Sequence, residues 1–224
     1  LGFEPPTLFL AVAIASYLVG GFPSAYVFTI LSGRGDITCL GSGNVGAMNT
    51  LRNAGVRLGV ITFAVDALKG IFSVYLGSLA AGVLIESGQV AAADRGEVML
   101  IYPLVGITMA VAGHNYSPFL RLKGGKGIAT AFGAVLFLKS SFLLPPVAVA
   151  LGALLLARSF YIAAVAAFAA APITFAWQAW AEGLPAAETG LWGLFGALLG
   201  VIVISKHTRN LKQKKHNREE EADG

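Results

Sequence analysis

The chain has 224 residues, 56% of them hydrophobic and 12% charged, with a mean hydropathy of +0.72 and a net charge of +4. A soluble domain carries about a quarter of its residues as Asp, Glu, Lys and Arg, so this composition excludes an ordinary soluble enzyme and marks an integral membrane protein. The excess of positive charge is sparse and segregated, so no nucleic-acid partner is expected, and a single cysteine, Cys39, excludes an internal disulfide.

The opening residues, Leu1 to Pro6, carry no basic segment, and no cleavable signal peptide is expected there. Apolar runs follow at 7–31, 58–85, 98–112, 127–138, 142–157, 160–181 and 190–205. The stretch from Gly127 to Ala157 would extend about 46 Å as one helix at 1.5 Å per residue, far beyond the roughly 30 Å hydrocarbon core of a bilayer. Lys139-Ser140-Ser141 near its middle, with Pro145-Pro146 soon after, supplies a turn and a fresh helix start. The expected fold is therefore an all-α integral membrane protein with seven transmembrane helices, one of them unusually short. Residues 1–224 read as a single membrane domain, with 206–224 a basic and then acidic tail.

Charge orients this arrangement. With seven spans, one side receives loop 32–57 (Arg34, Arg52, Arg57), loop 113–126 (Arg121, Lys123, Lys126), Arg158, and a tail holding Lys206, Arg209, Lys212, Lys214, Lys215 and Arg218. The other side receives only Arg95 and Lys139. Basic loops stay in the cytoplasm, which puts the N-terminus outside and the C-terminus inside. Trp177, Trp180 and Trp192 flank the outer loop 182–189 and read as interfacial anchors.

Three cytoplasmic segments hold nearly all the remaining polar side chains. The first runs from Gly41 through Ser42, Gly43, Asn44, Gly46, Met48 and Asn49 to Arg52. A hydroxyl, two amides and a guanidinium within so few residues suit a ligand with several oxygens, and Arg suits phosphate. A flexible loop with an orientation-setting Arg is the bland alternative. The second is the island Gly113-His114 to Lys123-Gly124-Gly125-Lys126-Gly127. It lacks the P-loop spacing and has Ile128 where a Ser or Thr would hold magnesium. Glycines nevertheless let backbone N–H groups face an anion, and the segment leads into a helix N-terminus. Lysines meeting lipid head groups are the rival reading. The third is His207 to Asn210, three apart on one helical face, running on to Glu219. Inside the second span, Asp66 and Lys69 also share a face and are expected to pair.

Together these segments resemble the bacterial PlsY family, the acyl-phosphate:glycerol-3-phosphate acyltransferases. Ser42 to Arg52 matches its Ser-Gly-Asn-x-Gly-Ala-Thr-Asn-x-x-Arg motif. Gly113-His114 and Lys123 to Gly127 match its Gly-His…Lys-Gly-Gly-Lys-Gly motif, and His207, Asn210 and Glu219 match its C-terminal motif. The similarity covers about residues 7–219. Met48 stands where the family usually has Thr, and Gln213 and Asn217 stand where an Arg and a Gly are typical.

The resemblance implies transfer of a fatty acyl chain from acyl phosphate to the 1-hydroxyl of glycerol 3-phosphate, giving lysophosphatidate and phosphate, at a cytoplasm-facing site in the bacterial inner membrane. It implies catalytic roles for Ser42, Asn44, Arg52, Lys126 and His207. Phosphate binding would fall to Gly43, Gly46, Asn49, His114, Lys123, Gly124, Gly125, Gly127 and Asn210. Asp66, Lys69 and Glu219 would support the site. No cofactor or metal is expected, the partners being the two substrates and membrane lipids, with the chain a monomer. His207 is the protein candidate for general base. No carboxylate lies in sequence reach to orient it, so a substrate phosphate is preferred for taking the proton. A transporter or flippase for an anionic lipid or small phosphate compound, gated by Asp66 and Lys69, is the alternative, as is a scaffold that binds anionic lipid through its tail.

Overall fold

The computed structural model describes residues 5–223, with side chains through residue 207. Among the described residues all regular structure is helical, in the order α1 (Pro5–Gly21), α2 (Ser24–Leu31), α3 (Ala47–Ala54), α4 (Val56–Glu86), α5 (Arg95–Asn115), α6 (Ile128–Lys139), α7 (Leu144–Ala157), α8 (Phe160–Ala181) and α9 (Ala186–Asp223). Phe22-Pro23 interrupts the first apolar run, since proline carries no N–H for a continuing helix. Among the described residues six segments are long and apolar enough to cross a membrane: Pro5–Leu31, Val56–Glu86, Ala92–Leu120, Ile128–Ala157, Phe160–Ala181 and Ala186–His207.

The Ile128–Ala157 segment breaks where the sequence places the break. A 3-10 turn at Ser140–Leu143 separates α6, about 18 Å long at 1.5 Å per residue, from α7, about 21 Å. Two contacts show which ends lie together. Lys139, the last residue of α6, pairs with Glu182 just beyond α8 at 2.7 Å. Tyr161 in the first turn of α8 sits against Lys126, just ahead of α6, with the ammonium 5.9 Å from the ring centre. Helices α6 and α8 thus start at one end of the bundle and finish at the other, and α7 runs back between them. Lys139, with Gln178 and Ser141, holds the Glu182 carboxyl down at about 2.

Small residues bring helix backbones into direct contact, as expected where lipid supplies no hydrophobic drive for packing. Helices α1 and α5 meet through Gly20 against Ala110 and Gly113 against Tyr17, while α4 and α6 meet through Gly70 against Thr130 and Ala134 and Gly133 against Ala67. A Cβ on Gly70 would lie 2.9 Å from the Ala134 nitrogen. At the opposite end an aromatic core forms from Phe142, Phe175, Trp192 and Phe195. This corrects the expectation for Trp192. It is 1% exposed, with its ring centre 4.0 Å from that of Phe142, whereas Trp177 and Trp180 are exposed. Helix α7 buries no residue.

Two further boundaries differ from expectation. Within loop 32–57, residues 47–54 are helical, because Asn49, Thr50 and Ala54 form a buried face between Gly46 and Gly55. The tail expected from 206 begins inside the bundle, with Lys206 and His207 both buried.

Candidate active site

The loop ahead of α3 is wound around one side chain. Asn49, buried, donates from Nδ2 to the carbonyls of Leu40 at 2.9 Å, Asn44 at 3.1 Å and Ile37 at 3.3 Å. Its Oδ1 accepts from the Ser42 N–H at 3.1 Å and the Asn53 amide at 2.9 Å. Both ends of this amide are engaged within the loop, so Asn49 shapes it. Gly41 and Gly43 adopt φ of +56° and +67°, conformations that a side chain resists. Ser42 and Arg52 stand exposed, and Ser42 Oγ accepts from the Asn44 N–H at 3.4 Å. Asn44 Oδ1 is buried with no hydrogen-bond partner among the described residues. Met48 is 49% exposed on the first turn of α3.

The Lys123–Gly127 turn lies against this loop. A Cβ on Gly125 would come 2.6 Å from the Val45 carbonyl and would strike His114 Nε2, while one on Gly124 would come 2.8 Å from the Asn115 carbonyl. Glycine is therefore needed at both positions for close approach. The Gly125 N–H donates to the His114 carbonyl at 2.9 Å. Gly127, at φ +75°, caps α6 against Asn115. The preceding loop is tied to α1, where Ser117 donates to Gly21 O and Tyr17 to Tyr116 O, each at 2.6 Å. Lys123 is exposed and Lys126 half-buried.

His114 sits behind the glycine turn. It is 7% exposed, with Nδ1 turned to Asp66 at 3.6 Å and Nε2 turned to the back of Gly125. Asp66 and Lys69 pair at 2.6 Å as expected. Ser24, a residue hidden in the first apolar run, joins them by donating to Asp66 Oδ1 at 2.6 Å. Lys69 donates its three N–H groups to Phe22 O, Ser24 Oγ and Asp66 Oδ1.

The third wall comes from α9 and α8. His207 is 1% exposed and Nδ1 lies 2.9 Å from the Val203 carbonyl. A carbonyl only accepts, so Nδ1 carries a proton, and in the neutral ring Nε2 is the lone-pair nitrogen. Its ring centre lies 5.5 Å from that of Tyr161, whose other neighbour is Lys126. Tyr161 was absent from the sequence reading, though its place at the first turn of a helix beginning on the basic side could have marked it. Lys206 lies 5.1 Å from the Tyr116 ring centre. Helix α9 carries His207 and Asn210 three positions apart. The side chains of Asn210 and Glu219 lie outside the described residues. No group of three or more potential metal ligands occurs among the described residues.

The Lys123–Gly127 turn is thus the meeting point of all three segments, touching Val45 on one side and Tyr161, with His207 behind it, on the other.

A family model described as glycerol-3-phosphate acyltransferase matches residues 10–216. The chain is 36% identical over 211 residues to a glycerol-3-phosphate acyltransferase of Syntrophotalea carbinolica, covering 92% of this chain and 94% of that one. It is 35% identical over 208 residues to one of Pseudomonas putida, covering 92% and 95%. Its structure is similar to crystal structures of PlsY (YgiH), an integral membrane glycerol 3-phosphate acyltransferase. The match to the glycerol 3-phosphate form has a TM-score of 0.65 at 28% identity over 94% of this chain and 93% of that one. The match to the lysophosphatidic acid form has a TM-score of 0.62 at 29% identity, with the same coverage. The chain belongs to the glycerol-3-phosphate acyltransferase family.

Proposed function

We propose that this protein transfers a fatty acyl group from acyl phosphate to the 1-hydroxyl of glycerol 3-phosphate, releasing lysophosphatidate and inorganic phosphate. The observation that carries the reading is the convergence of three polar segments on the Lys123–Gly127 turn, in a chain otherwise built for lipid. Two phosphate-bearing substrates need two sets of cationic and N–H donors side by side. Arg52 with the Ser42–Gly46 loop forms one set, and Lys123, Lys126 and the glycine backbone form the other.

The hydroxyl oxygen of glycerol 3-phosphate attacks the acyl carbon, the carbon–oxygen bond to phosphate breaks, and the hydroxyl proton passes to a phosphate oxygen. The mixed anhydride is already activated, so alignment and charge stabilisation supply the catalysis. Lys126 and Arg52 neutralise phosphate charge, Ser42 and Asn44 hydrogen-bond the reacting groups, and Asn44 Oδ1 has acceptor capacity open to a ligand hydroxyl. The near-complete burial of His207 and its bond to Val203 favour a positioning role, on Lys126 through Tyr161, and leave the proton to the phosphate. Asn49 and His114 hold the loops. Asn210 binds phosphate and Glu219 has a supporting role.

The reading includes seven crossings, with α6 and α7 as separate short spans. The opposite directions of these two helices support that count. The thirteen basic residues on the site's side support an outside N-terminus, a cytoplasmic site and residence in a bacterial inner membrane. The chain acts as one membrane domain, as a monomer, without metal or cofactor.

The test is direct. Purified protein in lipid receives palmitoyl phosphate and labelled glycerol 3-phosphate, with chelator present, and lysophosphatidate is measured. Product with acyl phosphate and none with acyl-CoA is expected. No product across lipid compositions refutes the activity, and abolition by chelator alone refutes the metal-free chemistry.

A further inference from the structure

We propose that Ser24, Asp66 and Lys69 form a buried positioning unit that sets the spacing of the two glycine-rich loops through His114. The proposal rests on the two-phosphate site argued above and assigns a task to charges buried within the bundle.

All four side chains are more than nine-tenths buried: Ser24 at 2%, Asp66 at 1%, Lys69 at 5% and His114 at 7% exposure. Charge of this kind is costly in a membrane bundle and persists where it is paired and used. Lys69 is closed on all three of its N–H groups, so it is neither a ligand for phosphate nor a moving gate. It draws the α1–α2 break to α4 by holding the Phe22 carbonyl and Ser24. Asp66 Oδ1 also lies 3.6 Å from His114 Nδ1. A lone pair facing a carboxylate is repelled, so Nδ1 carries the proton and the ring is aimed.

The other edge of that ring is the surface on which Gly125 rests. The His114 carbonyl accepts the Gly125 N–H, and Gly125 is packed between His114 Nε2 and the Val45 carbonyl of the first loop. A contiguous chain of contacts therefore runs from Lys69 through Asp66, His114 and Gly125 to Val45. A void of about 10 Å³ opens among Ser24, Val45, His114, Gly124 and Gly125.

Loss of the anchor leaves each loop able to bind its own phosphate but misaligns the two, so kcat falls and KM changes little. The experiment uses the full-length protein in lipid and two readouts. Asp66→Asn, His114→Gln and the double variant are assayed for both substrates. Each single variant is expected to lose about 10- to 100-fold in kcat with KM within about 3-fold. The double variant is expected to be no worse than His114→Gln alone. Removing one partner of a buried pair threatens folding, so Asp66→Leu/Lys69→Met, which replaces both charges by apolar groups of similar shape, is measured alongside. Amide hydrogen exchange is followed in the same proteins. Selective acceleration in the segment 123–127, with α4 unchanged, is the expected signature of a released turn. Additive losses in the double variant, or wild-type exchange and kcat in Asp66→Leu/Lys69→Met, overturn the proposal. Exchange does not depend on turnover, so a wild-type protein that fails to make lysophosphatidate refutes the activity and still leaves the positioning unit tested.

Discussion

Gly125→Ala is the sharpest perturbation of the site, because one methyl group meets two walls at once. Its Cβ would lie 2.6 Å from the Val45 carbonyl, where ordinary contact begins at 3.4 Å. The two loops must therefore separate by about 0.8 Å, or the turn must lift off His114. A displacement near 1 Å at reacting groups costs about 100-fold in rate, and overpacking costs about 1–3 kcal/mol in stability. The expected loss in kcat/KM is about 10- to 100-fold, equivalent to about 1.4–2.7 kcal/mol of transition-state stabilisation. Steady-state acyltransferase kinetics in lipid, with thermal unfolding in detergent, measure both parts. Gly152→Ala serves as control, since a Cβ there meets nothing within 4 Å on exposed α7. An alanine at 125 with unchanged kcat/KM and unchanged melting temperature would refute the packing of Gly125 between the two loops.

Other consequences are as specific. Arg52→Ala is expected to lower kcat/KM by about 100- to 1,000-fold with little change in melting temperature, because the side chain is exposed. Arg52→Lys should recover a minor part of it, since lysine lacks the planar fork; full recovery in the same assay would count against bidentate phosphate contact. Trp192→Ala removes the centre of the aromatic core and should cost about 3–5 kcal/mol in unfolding, while Trp177→Ala, on an exposed position, should cost under about 1 kcal/mol by the same measurement. Lys139→Gln should cost under about 1 kcal/mol at pH 7, because the pair is partly solvated. Pairing lowers the Glu182 pKa from 4.5 to about 2, so its contribution is complete above pH 4.5 and lost as pH falls through about 2. Melting temperatures of wild type and Lys139→Gln should accordingly converge over that window.

The helices were legible because lipid forces it: a spanning segment must satisfy its backbone internally and show apolar side chains for its whole length. The break at Lys139–Ser141 was legible for the same reason, since one uninterrupted helix would overrun the bilayer. The Asp66–Lys69 pair followed from spacing along one helix. What escaped depends on partners far away in the chain. Nothing local marks Ser24 as the third member of that pair, because it lies more than forty residues from Asp66 in an ordinary apolar run. Trp192 near a helix end reads as a membrane anchor until Phe142, fifty residues earlier, is seen against its face. Asn49 and His114 belong to the motifs singled out in the sequence, and only the folded chain reveals their contacts within and between the loops. Helix α3 was hidden by its own shortness and its glycine flanks.

The glycine seams of α1 with α5 and of α4 with α6 have a mechanical consequence. Helices touching backbone to backbone have no side chains to repack between them, so a shift along either seam meets a hard wall at once. Those four helices form the stiff frame that carries Asp66, Lys69 and His114 and the end of the Lys123–Gly127 turn. Helix α7, which buries no residue and is joined by short turns at both ends, packs along α8 without such a seam. A substitution on the outer face of α7 should therefore disturb the frame less than one along either glycine seam.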